Sequence, residues 1–252
     1  MNLRKSKSKK RLDVVLFERG LAESRQKAQA MILAGVVAVD GQKAAKAGVL
    51  VSTEANVELT ATRQRYASRG GQKLEGALED FGMDVAGRVC LDVGSSAGGF
   101  TDCLLQHGAA RVYAVDVTVD QLAWKLQKDP RVIRVKRNAR DLNAKDVPEP
   151  MDLVTVDVSF ISAEKVLAPA AALARRGAEF LILVKPQFEL DRGDVSKGGI
   201  VRDPRLHEKA IERVKEAAIK AGLEVTGVRP SRLQGAEGNQ EFFLHARRKG
   251  VE

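Results

Sequence analysis

The sequence predicts an α/β protein in which a doubly wound, Rossmann-like sheet domain follows a small α+β module. Three observations carry that expectation. From residue 88 onward, short runs rich in Val, Leu and Ile alternate with helical stretches, the pattern of a parallel sheet covered on both faces. The segment VCLDVGSSAGGFT, residues 89–101, reads as a strand, a glycine turn and a helix start. Charge is also divided unevenly. Residues 1–69 hold 14 Lys and Arg against 6 Asp and Glu, whereas residues 70–252 hold 28 against 27, so nearly all of the net +9 lies in the first quarter. A basic module joined to a near-neutral domain points to an anionic partner for the module.

Taken in order, residues 1–10 are a basic arm with no apolar pattern, expected to be disordered. RLDVVLFERG then places Leu12, Val15 and Leu16 on one helical face, with Gly20 as a stop. Ser24 caps a second helix, SRQKAQAMILAG, ended by Gly35. VVAVDGQKA is a strand entering an Asp40-Gly41 turn, and a further strand pair is expected around 49–51 and 57–59. Two short helices on a small basic β unit, with the R-L-D start, the S-R-x-x-A-x-x-x-I helix and the G-x-V-x-V-D-G turn, resemble the S4 RNA-binding domain. That resemblance implies RNA gripped through shape and phosphate contacts. The module spans 11–60, and TATRQRYA leads into a linker at 61–67. The large domain, 68–248, has strands at 88–93, 111–115, 132–136, 151–156 and 180–184 and helices at 100–107, 120–126 and 163–175. A long helix at 204–222 and strands at 224–228 and 241–246 close it.

Composition narrows the class. With 44% hydrophobic and 30% charged residues the chain can bury a core, and with 4% aromatic residues any RNA surface must work by charge more than by stacking. Cys90 and Cys103 read as reduced, structural thiols, and the three histidines lack ligand spacing, so no metal is expected. No apolar run reaches membrane-span length. Asp13, Glu18 and Arg19 interrupt the stretch after the basic start, so no signal peptide is expected and the cytoplasm is the expected location.

The glycine turn sets the ligand. A dinucleotide fingerprint needs a second glycine two places after the first, but Ser96 stands two after Gly94. Gly98 and Gly99 instead open the backbone beside the helix start, which suits a smaller nucleoside-bearing ligand. The pattern D-x-G-x-x-x-G-G-F, formed by Asp92, Gly94, Ser95, Ser96, Gly98, Gly99 and Phe100, resembles the loop of S-adenosylmethionine-dependent methyltransferases, and it implies that cofactor. Asp116, 22 residues after Gly94 and followed by Val117, ends the next strand where a carboxylate accepts from both ribose hydroxyls. Asn138 and Ala139 flank the adenine; Asp141 either joins them or caps the segment beyond.

FLILVKPQFE poses a separate question, because a doubly buried strand ends there on Lys185 with Pro186 next. Asp157 ends the preceding strand in VTVDVSF, Lys73 follows the linker in YASRGGQKLEGAL, and Glu241 opens the last strand in GNQEFFLH. This K-D-K-E order, with S-R-x-x-x-K-L before the glycine loop, resembles the FtsJ-like RNA ribose 2′-O-methyltransferases. With the S4-like front end, KPQFE and KGGIVRD (197–203), it resembles the TlyA (haemolysin A) family. SRGGQKL, Phe100 and Asn138 depart from FtsJ proper and agree with that branch. The resemblance implies methyl transfer to a ribose 2′-hydroxyl of ribosomal RNA, at a cytidine, on one or both subunits. A 2′-hydroxyl is a poor nucleophile until its proton is taken. Lys185 is assigned as the base and Lys73 as its cationic neighbour and ribose contact, with Asp157 and Glu241 orienting the lysines.

Arg4, Lys10, Arg11, Arg25, Lys27, Lys43, Arg63, Arg65 and Arg69 are the candidate RNA phosphate contacts. Arg175 and Arg176 are expected at a helix end, where cations suit the dipole, and Trp124 in helix packing. A monomer is expected, because one RNA module and one catalytic domain suffice. A non-catalytic RNA-binding or ribosome-assembly factor is the alternative, and the intact tetrad weighs against it. The absent apolar span and signal weigh against a membrane-lytic protein, and the absent second glycine against a nicotinamide enzyme.

Overall fold

In the computed structural model, residues 8–33, 35–44, 46–59, 65–191, 193–196, 198–235 and 238–250 are described. The chain divides into two units, Met1–Gln64 and Arg65–Glu252.

The first unit runs β1 (Lys9–Arg11), α1 (Leu12–Glu18), α2 (Arg25–Leu33), β2 (Val37–Val39), β3 (Gln42–Lys43), β4 (Leu50–Ser52) and β5 (Val57–Leu59). Leu12, Val15 and Leu16 of α1 bury against Ala28 and Ile32 of α2 and Val37 of β2. Ser24 Oγ accepts the Lys27 amide at 3.1 Å, the expected cap. Asp40 and Gly41 both have positive φ, 50° and 80°, as a two-residue hairpin turn requires. The strand pair read from 49–51 and 57–59 does not form. β4 pairs instead with β1 and β5 with β2, all antiparallel. Lys9 and Lys10, assigned to the basic arm, thus supply the partner that β4 needs; a strand of consecutive cations carries no apolar alternation to reveal it.

The second unit runs α3 (Arg69–Asp80), β6 (Val89–Val93), α4 (Gly99–Gln106), β7 (Arg111–Asp116), α5 (Trp124–Gln127), β8 (Val132–Lys136), β9 (Met151–Val156), α6 (Glu164–Leu173), β10 (Ala174–Val184), α7 (Pro186–Glu189), α8 (Pro204–Lys220), β11 (Leu223–Pro230) and β12 (Phe242–Arg248). Seven strands form one sheet in the order β11-β12-β10-β9-β6-β7-β8. β8, β7, β6, β9 and β10 are mutually parallel, so their carboxyl ends share one edge. β12 lies antiparallel to β10 with Phe242 opposite Val184, which delivers the start of β12 to that same edge. One apolar layer packs α6 and α8 on the sheet, and the other packs α3 and α4.

Two local expectations are corrected here. The helix read at 120–126 is a 3₁₀ turn (Val119–Gln121) and the short α5, separated by the extended Leu122. Leu122 and Leu126 take the buried face, so Trp124 does not pack inside; it is 70% exposed, with Lys128 Nζ 4.5 Å from its ring centroid. Arg175 and Arg176 do not end a helix, because α6 stops at Leu173 and β10 starts at Ala174. Arg175 Nε pairs with Asp152 at 2.8 Å. The two free cysteines are buried, and burial pushes both thiols up to about 12. Among the described residues, no helix is long and apolar enough to cross a membrane.

Candidate active site

Two adjoining cavities open at the carboxyl edge, of about 210 and 490 Å³, and both are walled by Gly94, Ser96, Asp157 and Ser159. Backbone geometry creates the shared wall. Gly94 has φ +91°, and a Cβ there would stand 2.4 Å from the Asp157 carbonyl oxygen, so the β6 turn passes directly over the end of β9 only as glycine. Gly99 lets the starts of α3 and α4 meet: a Cβ there would lie 2.1 Å from Ser68 Oγ.

The larger cavity collects Asp116, Val117, Asn138 and Ala139. Asp116 accepts the Ser96 amide on Oδ2 at 2.9 Å and the Thr118 amide on Oδ1 at 3.0 Å. These bonds fix the carboxylate while each oxygen keeps lone pairs for a diol. The Asn138 side chain is engaged locally, accepting the Arg140 amide at 3.1 Å, and Asp141 lies outside the lining. Ser95 lines the smaller cavity, and its Oγ is buried without a partner among the described residues. Gly99 and Phe100 line the same space. A fixed diol acceptor, an open glycine turn and an unpartnered hydroxyl fit a nucleoside bearing a small polar tail.

Two of the assigned cofactor residues line neither cavity. Asp92 is fully buried and lines neither cavity; it accepts from Thr101 Oγ1 at 2.6 Å and Thr155 Oγ1 at 3.1 Å, and burial pushes its carboxyl up to about 7. It braces the turn from below. Gly98, φ +91°, faces Leu122 and Leu126 rather than either cavity.

The four charged residues assemble as two ion pairs. Lys185 Nζ lies 2.5 Å from Asp157 Oδ1 and donates to Ser159 Oγ at 2.9 Å. Lys73 Nζ lies 2.5 Å from Glu241 Oε2. Lys73, Asp157 and Lys185 line the smaller cavity, whereas Glu241, 2% exposed, stands behind Lys73 and reaches the space only through it. Gly235 makes room for that carboxylate, since a Cβ there would come within 2.7 Å of Glu241 Oε1. Ser159, Ser68 and Gln234 also stand in this lining, and none of them is expected from the sequence. Ser159, two residues past a functional strand end, carried the one usable signal.

Of the proposed RNA contacts, Lys27 and Lys43 are exposed and Lys10 pairs with Glu18 at 2.8 Å. Arg11 donates to both Asp13 oxygens at 3.0 Å, and Arg25 approaches Asp13 Oδ2 at 3.5 Å. Arg65 pairs with Glu75. Arg69, assigned to the linker group, stands in the first turn of α3 and lines the smaller cavity. Arg4 and Arg63 lie outside the described residues.

A mostly parallel seven-stranded sheet covered by helices, with a ligand-sized cleft outside the carboxyl ends of its strands, is a doubly wound α/β fold of the nucleotide-binding class. The comparisons with known proteins agree. The FtsJ-like methyltransferase family matches residues 66–248 and the S4 domain matches residues 10–57. The chain is 47% identical to the 16S/23S rRNA (cytidine-2′-O)-methyltransferase TlyA of Mycobacterium tuberculosis (strain CDC 1551 / Oshkosh), over 94% of this chain and 89% of that one. It is 43% identical to Hemolysin A of Brachyspira hyodysenteriae, covering 93% and 98%. A solved structure from Streptococcus thermophilus is similar at a TM-score of 0.75 and 38% identity, covering 98% of this chain and 90% of that one. The chain belongs to the TlyA (haemolysin A) family of FtsJ-like methyltransferases.

Proposed function

We propose that this protein methylates the ribose 2′-hydroxyl of a cytidine in ribosomal RNA, with Lys185 as the base. The observation that carries the reading is the placement of Lys185 in the lining of the smaller cavity, where it is held by Asp157 and Ser159, two residues that wall both cavities. Bound S-adenosylmethionine supplies a methyl group already activated on sulfonium. The chain has then to align the acceptor and move one proton. Asp116 would hold the cofactor's ribose, and the Gly94 turn leaves the backbone open beside it. Lys73, braced by Glu241, contacts the acceptor ribose from α3. Lys185 Nζ would act as the neutral amine, taking the 2′-hydroxyl proton as the oxygen bonds to the methyl carbon and the carbon–sulfur bond breaks to leave a thioether; Asp157 and Ser159 would then hold the ammonium that forms.

The S4 unit contributes affinity for structured RNA through exposed cations such as Lys27 and Lys43, with Arg11 and Arg25 aligned by Asp13. The protein works as a monomer in the cytoplasm, where ribosomal subunits are found; a stable dimer in sedimentation would contradict the monomer. Nucleoside mass spectrometry of small and large subunits incubated with protein and cofactor tests the reaction. The expected product is 2′-O-methylcytidine; methyl groups only on bases, or on neither subunit, would overturn the proposal.

A further inference from the structure

The segment KPQFE, residues 185–189, enters the chemistry only through its first residue, yet its last is as deeply buried. Glu189 is 3% exposed. Its Oε1 accepts the Ala163 amide at 2.9 Å, its Oε2 has no partner among the described residues, and burial raises its carboxyl above the usual range. Burying an acid is costly unless it is hydrogen-bonded, and the Ala163 amide supplies such a bond.

What it holds is the loop after β9. Lys185 and Glu189 stand at the two ends of one short segment, Ser159 and Ala163 at the two ends of the other. The bonds Lys185 Nζ to Ser159 Oγ and Ala163 N to Glu189 Oε1 therefore fasten the segments at both ends. Between them Phe160 meets Phe188, with ring centroids 5.3 Å apart. Phe160, 88% exposed, has φ +66°, a left-handed backbone that is strained for a bulky residue. From α8, Arg213 donates to the Glu189 carbonyl and fixes the segment from behind. Val158, Ser159, Phe160 and Ile161 of the held loop wall the larger cavity, and Ser159 walls the smaller as well.

We infer that Glu189 is a positioning residue: by accepting the Ala163 amide it fixes the loop at residues 158–163, which walls the larger cavity, and sets Ser159, shared by both cavities, against Lys185. Its effect on turnover rests on the reading of Lys185 as the base, whereas its effect on cofactor affinity does not. The test uses the full chain with Glu189→Gln, which keeps the acceptor oxygen, and Glu189→Ala, which removes it. S-adenosylhomocysteine affinity is measured by calorimetry, alongside kcat and the KM for ribosomal subunits. Glu189→Ala is expected to weaken cofactor affinity and lower kcat ~10- to 100-fold while the KM for subunits holds, since small misplacements of reacting groups cost on that order. Glu189→Gln is expected to restore both. Should Glu189→Ala fail to fold, Glu189→Asp, one methylene too short to reach the amide, takes its place with the same expected losses. Wild-type affinity and kcat in the folded alanine variant, or a glutamine variant as impaired as alanine, would overturn the inference. A Lys185→Ala protein that still turns over would sink the lysine reading but leave the affinity comparison intact.

Discussion

Lys185 ends a doubly buried strand, where a charge is expensive unless it is paired, and the structure pairs it with Asp157 and Ser159. That makes the side chain a tool with a fixed aim rather than a snorkelling end. Gly94 is as constrained for the opposite reason. Replacing it with alanine forces a strained φ and a 2.4 Å approach to the Asp157 carbonyl. A loss of about 1–3 kcal/mol is expected, read as a lower Tm, together with weakened S-adenosylhomocysteine binding by calorimetry. Lys73→Met should strand Glu241, 2% exposed, without its cation. That variant should lose both activity and about 3 kcal/mol of stability in denaturant unfolding. At this scale the sequence was informative where a charged residue stood at a strand end, as with Lys185, Asp157 and Asp116. It was less informative where a motif letter lies outside the cavity linings. Asp92 and Gly98 belong to the glycine pattern, yet one braces the turn from inside and the other accommodates leucines. Which motif residues face the ligand is decided by how α5 and the β9 threonine pack, and spacing does not report that.

Elements were legible in proportion to their apolar pattern. β8 and β9 have the limits their Val and Ile runs imply, and α8 starts at Pro204 under the Asp203 cap, which accepts the Arg205 amide at 2.9 Å. β1 was hidden because three cations in a row look like solvent-facing chain. α5 was overextended because Leu122 and Leu126 are four apart, a helical spacing, while Leu122 and Ala123 are extended and the helix starts only at Trp124. In the S4 unit one buried group organises the basic face. Asp13, 0% exposed, accepts from Arg11 and from Gln29 at 2.7 Å, and the Arg11 guanidinium holds its carboxyl well below the usual carboxylate range. A carboxyl lowered in the folded state contributes stability that is complete above its ordinary value of about 3.9 and is lost as pH falls from there. The unit's melting temperature should therefore drop as pH is lowered below about 4. Asp13→Asn should flatten that dependence and cost about 2 kcal/mol at neutral pH, as lost charge-assisted bonds do. A pH profile by circular dichroism that is the same in both proteins would contradict this.

For the molecule as a whole, the decisive feature is the antiparallel insertion of β12 beside β10, which puts Glu241 at the edge where the parallel strands end. Four residues spread over residues 73–241 thereby meet at one site, an outcome visible in the sequence only as an order of charged letters. The charge division has its own consequence, because the first quarter carries nearly all the excess of cations. Binding to ribosomal RNA should weaken linearly in log–log plots against salt, and replacing Lys27 and Lys43 together should lower the slope by about 2, one for each phosphate no longer neutralised. Cofactor affinity should not change. The role of Lys185 is decided by following labelled methyl transfer from S-adenosylmethionine to ribosomal subunits by wild type and Lys185→Ala, with S-adenosylhomocysteine affinity measured on both. Label on a ribose 2′-oxygen is expected for wild type, with a loss of at least ~100-fold in rate for the variant and cofactor affinity retained. Transfer by Lys185→Ala at the wild-type rate would contradict that role.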